Sequence, residues 1–300
     1  MMLPMSLPLT LPASQTNSRA IWLMIGAILL FTAMDAVAKG LLDRYPTPQV
    51  IWARFTGQLV LVLLILRGRV GPSLRTQYPL LHLARCICQF GATALFFTSL
   101  SYIGLAEATA LTDLNPVLIT LGAALFLGEK LGPRRMLGVL AAMAGAMIII
   151  RPGFGVFTAA ALLPIGAAIC YTGNALLTRF IGSQEPVWTS MIYGAVFGCV
   201  VLSFWQPFVW QPIMSDDYGL FGLMGLLGTA AQLCLIRSFS MSEASVVAPF
   251  AYLGIIFAAI WGAVLYAEYP DRWSVIGALV IIAAGLYVWH RETRALRSTR

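Results

Sequence analysis

Charge is what this chain has least of. Only 10% of its 300 residues are Asp, Glu, Lys or Arg, 59% are hydrophobic, and the mean hydropathy is +0.84. A soluble domain carries about a quarter charged residues, so the composition is that of an integral membrane protein. The net charge of +7 therefore does not point to nucleic acid, because the basic residues lie in short loops and at the chain end. Paired cysteines are lacking too. Cys86, Cys88, Cys170, Cys199 and Cys234 all fall inside apolar runs, without disulfide or metal spacing, and read as packing residues. No loop holds a nucleophile–base pairing, a zinc-type His/Glu cluster or a glycine-rich phosphate loop, which speaks against an enzyme and against any metal or cofactor. No repeated filter-like segment suggests a channel. The stretch MMLPMSLPLTLPASQTNS lacks the basic start and long apolar core of a secretory signal, and its prolines oppose a helix. A disordered cytoplasmic tail is expected over 1–18.

What remains is apolar sequence, nearly continuous from Arg19 to His290. Hydrocarbon about 30 Å thick needs a helix of roughly 20 apolar residues, and charges, prolines and glycines cut the chain into about ten such spans. They are expected at 19–40, 48–67, 80–103, 106–128, 133–151, 158–180, 187–206, 218–240, 242–266 and 273–290, in an all-α membrane protein. Short connections make neighbours run up and down beside one another. With the N-terminus inside, fourteen of the 19 basic residues fall on the inner side and four, Lys39, Arg44, Arg151 and Arg272, on the outer. That bias puts both termini in the cytoplasm. Arg54 is close enough to the outer end of its span to snorkel, and Arg85, Arg179 and Arg237 are read as doing so at the inner surface.

The chain also repeats itself. GEKLGPRRMLGVLAAMAGAMII from Gly128 resembles AEYPDRWSVIGALVIIAAGLYV from Ala267, pairing Glu129 with Glu268 and Gly138 with Gly277. Ahead of them LAEATAL from Leu105 resembles MSEASVV from Met241. Two five-helix units are expected, 19–151 and 158–290, followed by a basic cytoplasmic tail at 291–300. Five being odd, the second unit enters the membrane from the opposite face, and inverted repeats of this kind are a recurring construction of secondary transporters. Gly138, Ala141, Ala142 and Gly145, with Gly277, Ala278, Ala284 and Gly285, suit close helix packing and mark spans five and ten as scaffold.

Polar residues inside these spans are the candidate site. Thr109, Thr112, Asp113, Pro116 and Thr120 share one helical face, with Asn115 at its edge. Pro116 lacks the N–H that would bond the Thr112 carbonyl, and Pro249 does the same to Ser245, near Ser242 and Tyr252. Two locally broken, one-sidedly polar helices in matching positions are the sequence mark of a midplane substrate site, with Pro116 and Pro249 as hinges. Capped threonines and structural kinks are the alternative. Asp35 and Lys39, four apart, either pair within their helix or serve binding or coupling. Gln89, Gln232, Tyr171 and Asn174 either face a cavity or bond between helices.

The pattern LAEATALTDLNPVLITLGAALFLGEKLGPRRMLGVLAAMAGAMIIIRPG and its echo ASVVAPFAYLGIIFAAIWGAVLYAEYPDRWSVIGALVIIAAG resemble the drug/metabolite transporter superfamily, in its ten-helix EamA branch. The resemblance implies a carrier of the bacterial inner membrane with a cavity lined mainly by spans one, three, four, six, eight and nine. It places Asp35, Gln89, Asp113, Asn115, Tyr171, Asn174, Gln232 and Tyr252 on lining helices. It implies a small-molecule substrate, with amino acids, aromatic ones included, moved outward by alternating access as the expected cargo. Uptake of a nucleoside-like or sulfonium metabolite is the alternative. Asp35 or Asp113 could carry a coupled proton, whereas an uncoupled exchanger would need neither. The second half offers Pro249 where the first has Asp113, and the oligomeric state is left open.

Overall fold

The computed structural model describes residues 13–67, 70–74, 76–115, 117–118, 121–122, 133–150, 159–181, 185–241 and 248–298. Among them every regular element is helical. We label α1 (Ala13–Leu42), α2 (Thr47–Leu66), α3 (Pro79–Leu100), α4 (Leu105–Thr112), α5 (Pro133–Ile150), α6 (Leu162–Ile181), α7 (Val187–Val209), α8 (Tyr218–Met241), α9 (Leu253–Tyr266) and α10 (Arg272–Ser298). Six stretches, in α1, α2, α3, α6, α7 and α8, are long and apolar enough to cross a membrane, and shorter apolar helices lie in α5, α9 and α10.

Local chemistry explains several of these ends. Pro46 and Pro186 precede α2 and α7 in extended backbone (φ −58° and −61°), as suits a residue whose fixed φ and missing N–H belong at a helix start. Asp271 accepts the Ser274 N–H at 2.7 Å and so caps α10. Two boundaries correct the expectation. α1 starts at Ala13, inside the stretch read as tail, and α10 runs on to Ser298 through residues read as a basic tail; residues 1–12 lie outside the described part. The first helical segment of the fourth span ends at Thr112, and described residues 115, 117–118 and 121–122 beyond it are helical again.

The helix pairings carry the symmetry. The most extensive are α1 with α8, α3 with α6, α2 with α7 and α5 with α10. Exchanging the first five helices for the last five turns α1–α8 into α6–α3 and leaves α2–α7 and α5–α10 as they are. The same exchange turns α2–α8 into α7–α3 and α1–α9 into α6–α4, and all of these pairs are present. This is the packing that two inverted five-helix halves require.

Lipid is as apolar as leucine, so close packing must hold such helices together. Glycines make it possible where backbones cross. A Cβ on Gly277 would sit 2.6 Å from the Gly145 carbonyl oxygen, and one on Gly57 would sit 2.9 Å from the Gly225 Cα. Around these crossings, Met34, Phe55, Phe97 and Leu105 form one buried cluster and Leu111, Val139 and Ile281 another. Leu64, Phe204, Phe208 and Val264 are exposed on the outside of the bundle, where acyl chains would meet them. Gly277→Leu is expected to destabilise the protein by about 3 kcal/mol, the upper end of overpacking, because the obstructing atom is backbone and cannot turn aside. Thermal unfolding in detergent would show this, with Gly26→Ala, which meets nothing within 4 Å, unchanged as the control.

Candidate functional site

Helical bonding in α4 tightens where the site begins. The Asp113 N–H donates to the Thr109 carbonyl at 2.8 Å, but Leu114 donates three residues back to Leu111 and Val117 three back to Leu114. The hydroxyls of Thr109 and Thr112 donate to the carbonyls of Leu105 and Ala108 at 2.8 and 2.9 Å. The donor of Thr112 is thus engaged within its own helix. Pro116, Thr120 and Ser245 lie outside the described residues, and Pro249 falls in a 3-10 turn, Ala248–Tyr252, that leads into α9.

Asp113 is half-buried, and its Oδ2 is fully enclosed with no hydrogen-bond partner among the described residues. Gly254 of α9 leaves room beside it, since a Cβ there would lie 3.5 Å from that oxygen. Asp113 is in electrostatic reach of Asp35 on α1, Tyr171 on α6 and Tyr252. Asp35 in turn faces Arg54 of α2. The Arg54 guanidinium donates to Thr93 Oγ1 at 3.1 Å and lies over the rings of Phe55 and Phe97, 5.9 and 5.3 Å from their centroids. Arg54 therefore turns into the bundle and does not snorkel.

Arg85 corrects the same expectation on α3. It is 5% exposed and donates to the Ser190 carbonyl of α7, with Gln89 Oε1 at 3.5 Å and Asn174 Oδ1 at 3.4 Å. Gln89 lies flat against α7 because residue 194 is glycine: a Cβ there would be 2.6 Å from its Oε1. Tyr171, one turn from Asn174 on α6, is 37% exposed although it feels the Asp113 charge, as a ring bordering an opening does. Asn115 and Gln232 are half-buried. Tyr252 is placed differently. It is 5% exposed, its ring fills the notch left by Gly285 of α10, and its hydroxyl is unpartnered, so it backs α4 more than it lines an opening.

Helix rise orders these groups by depth. Asp35, Arg54 and Thr93 each stand seven residues from the end of their helix at the face carrying Lys39, about 10 Å in at 1.5 Å per residue. Asp113 is about 12 Å in, Tyr171 about 14 Å, Asn174 about 18 Å, and Gln232 and Arg85 about 21 to 22 Å. A polar track crosses the bundle.

Both ends of that track are tied. At one face Lys39 pairs with Glu268 at 2.8 Å and donates to the carbonyls of Leu100 and Ile103, while Glu268 accepts the Leu105 N–H at 3.1 Å. Thus Lys39 finds its carboxylate on the α9–α10 connection and not in Asp35. Ala267, in the left-handed region at φ 52°, turns Glu268 toward it. Beside it Glu107 accepts from Ser274 at 2.6 Å, and Asp217 accepts from Arg44 and Tyr45 at 2.6 and 2.7 Å. Two adjoining hollows of about 380 and 230 Å³ open here, sharing Gly104 and Glu268; they lie at this face and not at the middle. At the other face Glu185 accepts from Thr76 at 2.8 Å and the Gln77 N–H at 2.9 Å, with His82 Nε2 3.5 Å away. Burial pushes the Glu185 carboxyl up, but these donors and His82 outweigh it and hold it below the ordinary glutamate range.

The interior polar residues that sequence reasoning left out of the candidate site are Arg54, Thr93 and Arg85. The signal was present for the arginines, since an ionisable residue within a span is a functional candidate by default.

The chain matches the EamA-like transporter family over residues 18–151 and again over 158–289. The riboflavin transporter of Rhizobium johnstonii is 28% identical over 287 residues, 93% of each chain. The pseudopaline exporter of Pseudomonas aeruginosa is 27% identical over 87% of this chain and 93% of its own. The S-adenosylmethionine uptake transporter of Rickettsia bellii is 24% identical over 95% and 98%. A crystal structure with 17% identity superposes with a TM-score of 0.65 over 93% of this chain and 99% of that one, a likeness of fold alone. Two matches that together span nearly the whole chain, on a helical bundle with a polar track through it, show that the protein belongs to the EamA-like transporter family and is a multi-pass membrane transporter of a small molecule, not an enzyme.

Proposed function

We propose that this transporter carries amino acids and similar amphipathic metabolites, aromatic ones included, outward across a bacterial inner membrane, with both termini in the cytoplasm. The observation that carries the reading is the Asp113 carboxylate, whose Oδ2 is enclosed and without a partner among the described residues, in electrostatic reach of the partly exposed Tyr171 ring. A buried carboxylate without a donor calls for a cation, and an ammonium over an aromatic face is a recurring way to supply one. Asp35, Gln89, Asn115, Asn174 and Gln232 border the same track and complete the candidate site, with Thr112 offering lone pairs and Tyr252 behind. Alternating access would rock the two halves about this site, flexing near Pro116 and Pro249. Export draws support from the resemblance to exporters and from the pseudopaline exporter among the relatives.

Uptake of a sulfonium or nucleoside-like metabolite is the second reading. It draws on the S-adenosylmethionine uptake relative and on the same carboxylate, which would hold a sulfonium as well as an ammonium. Purified protein in proteoliposomes, given radiolabelled amino acids, S-adenosylmethionine and riboflavin, separates the two by counterflow in both vesicle orientations. Saturable exchange of aromatic amino acids is the expected result; exchange of S-adenosylmethionine alone would replace the first reading by the second. An imposed pH gradient that drives accumulation would assign Asp35 or Asp113 a proton-coupling role.

A further inference from the structure

Arg85 stands apart from the other cations of the bundle. Lys39 has Glu268, Arg44 has Asp217, and Arg54 faces Asp35. Arg85 has no carboxylate within ion-pair distance among the described residues, although it is 5% exposed. What surrounds it is neutral or basic. The Ser190 carbonyl of α7 is close, the carboxamide oxygens of Gln89 and Asn174 stand at 3.5 and 3.4 Å, Cys86 adjoins it, and His82 lies one turn back on α3. Its Nε has no partner among the described residues. A buried cation left uncompensated is costly, and burial is tolerated only where a counter-charge and further hydrogen bonds are supplied. A guanidinium presents a planar fork that matches a carboxylate bidentately.

The position suits a ligand. Asn174 touches Arg85 from α6, and Tyr171, three residues earlier on the same face, reaches the field of Asp113. Tyr171 and Asn174 are about 4.5 Å apart along α6.

We propose that Arg85 is the anion subsite of the transporter and receives a carboxylate of the transported metabolite. This rests on the transport reading above and adds which residue meets the acid of the cargo. Nothing in the family match or in the relatives assigns Arg85 this role.

The test uses full-length protein and probes that differ only in the acid: phenylalanine against phenylalaninamide, tryptophan against tryptamine, and indole-3-acetate, which has the carboxylate without the amine. Thermal stabilisation in detergent and inhibition of uptake in proteoliposomes are read for wild type, Arg85→Gln and Arg85→Lys. Each acid is expected to bind wild type about tenfold or more tightly than its neutralised partner, the usual worth of a hydrogen bond to a charged group. That preference should vanish in Arg85→Gln and survive in part in Arg85→Lys. Should Arg85→Gln not fold, the wild-type preference and its weakening in Arg85→Lys decide the matter. Equal binding of acid and amide, or no stabilisation by any carboxylate, overturns the proposal. If phenylalanine is carried but its amide is carried as well, the anion subsite falls and the amino-acid reading stands. If indole-3-acetate alone binds, and does so through Arg85, the subsite stands and the amino-acid reading falls.

Discussion

Asp113→Asn is expected to lower the transport rate in proteoliposomes about a hundredfold, within the 2–5 kcal/mol range for removing one charge of a buried pair, while the protein remains folded. Asparagine keeps the shape and removes the charge. Because Oδ2 has no donor to lose among the described residues, the fold should be nearly indifferent, and melting temperature in detergent should change little. Only a bound cation or a carried proton would register the loss. Gln232→Ala should act in the same direction but more weakly, since an amide offers a neutral hydrogen bond worth about 1 kcal/mol. Unchanged rates in both variants would remove Asp113 and Gln232 from the site.

The second large effect is expected at the face closed by Lys39. Glu268→Gln leaves the Lys39 ammonium, whose side chain is 10% exposed, without its counter-charge, whereas Glu268 itself is 34% exposed. Breaking a fully buried pair costs about 3–5 kcal/mol; partial solvent screening brings the expectation here to roughly 1–3 kcal/mol. The pair joins the end of α1 to the α9–α10 connection and, through the Leu105 N–H, to the start of α4. Its loss should therefore appear as opening of this face. A cysteine placed at Ala108, which is fully buried, should react about tenfold or more faster with an impermeant maleimide applied from this side, a shift of at least 1.4 kcal/mol in the opening equilibrium. Removing both charges, Lys39→Met with Glu268→Gln, should restore much of the protection, because no stranded ion remains. If the single variant reacts no faster than its parent, the ion pair does not hold the face shut.

The bundle could be read from the chain because each span announces itself by its own composition, and the Gly145–Gly277 crossing because both glycines sit in matching repeats. Asp35 and Asp113 were visible as charges that lipid would not accept. The arginines were visible as charges too but were assigned to the surface, since distance from a span end tells how far a side chain must reach for water but not which way it turns. Lys39 illustrates a different gap: its partner, Glu268, comes from the far end of the chain, whereas helical spacing offered Asp35 as a local substitute. Tyr252 shows a third. Five residues of 3-10 turn, Ala248–Tyr252, advance the chain by about 20° more per residue than an α-helix, so a face projected through them misses by a quarter turn or more. The break in α4 was expected at Pro116 but already shows at Asp113, directly after Thr112, whose carbonyl lies four residues before the proline and meets its ring.

Under the exchange of halves, the most extensive helix pairings in this bundle all have counterparts. Were the counterparts chemically alike, the forms open to either side would be equal in free energy and the empty carrier would rest in neither. Whatever preference it shows must come from places where the two copies disagree. Asp217 gathering Arg44 and Tyr45 at one face, and Glu185 gathering Thr76 and Gln77 at the other, are such places. Their substitution should bias which way the empty protein faces and leave untouched what it carries.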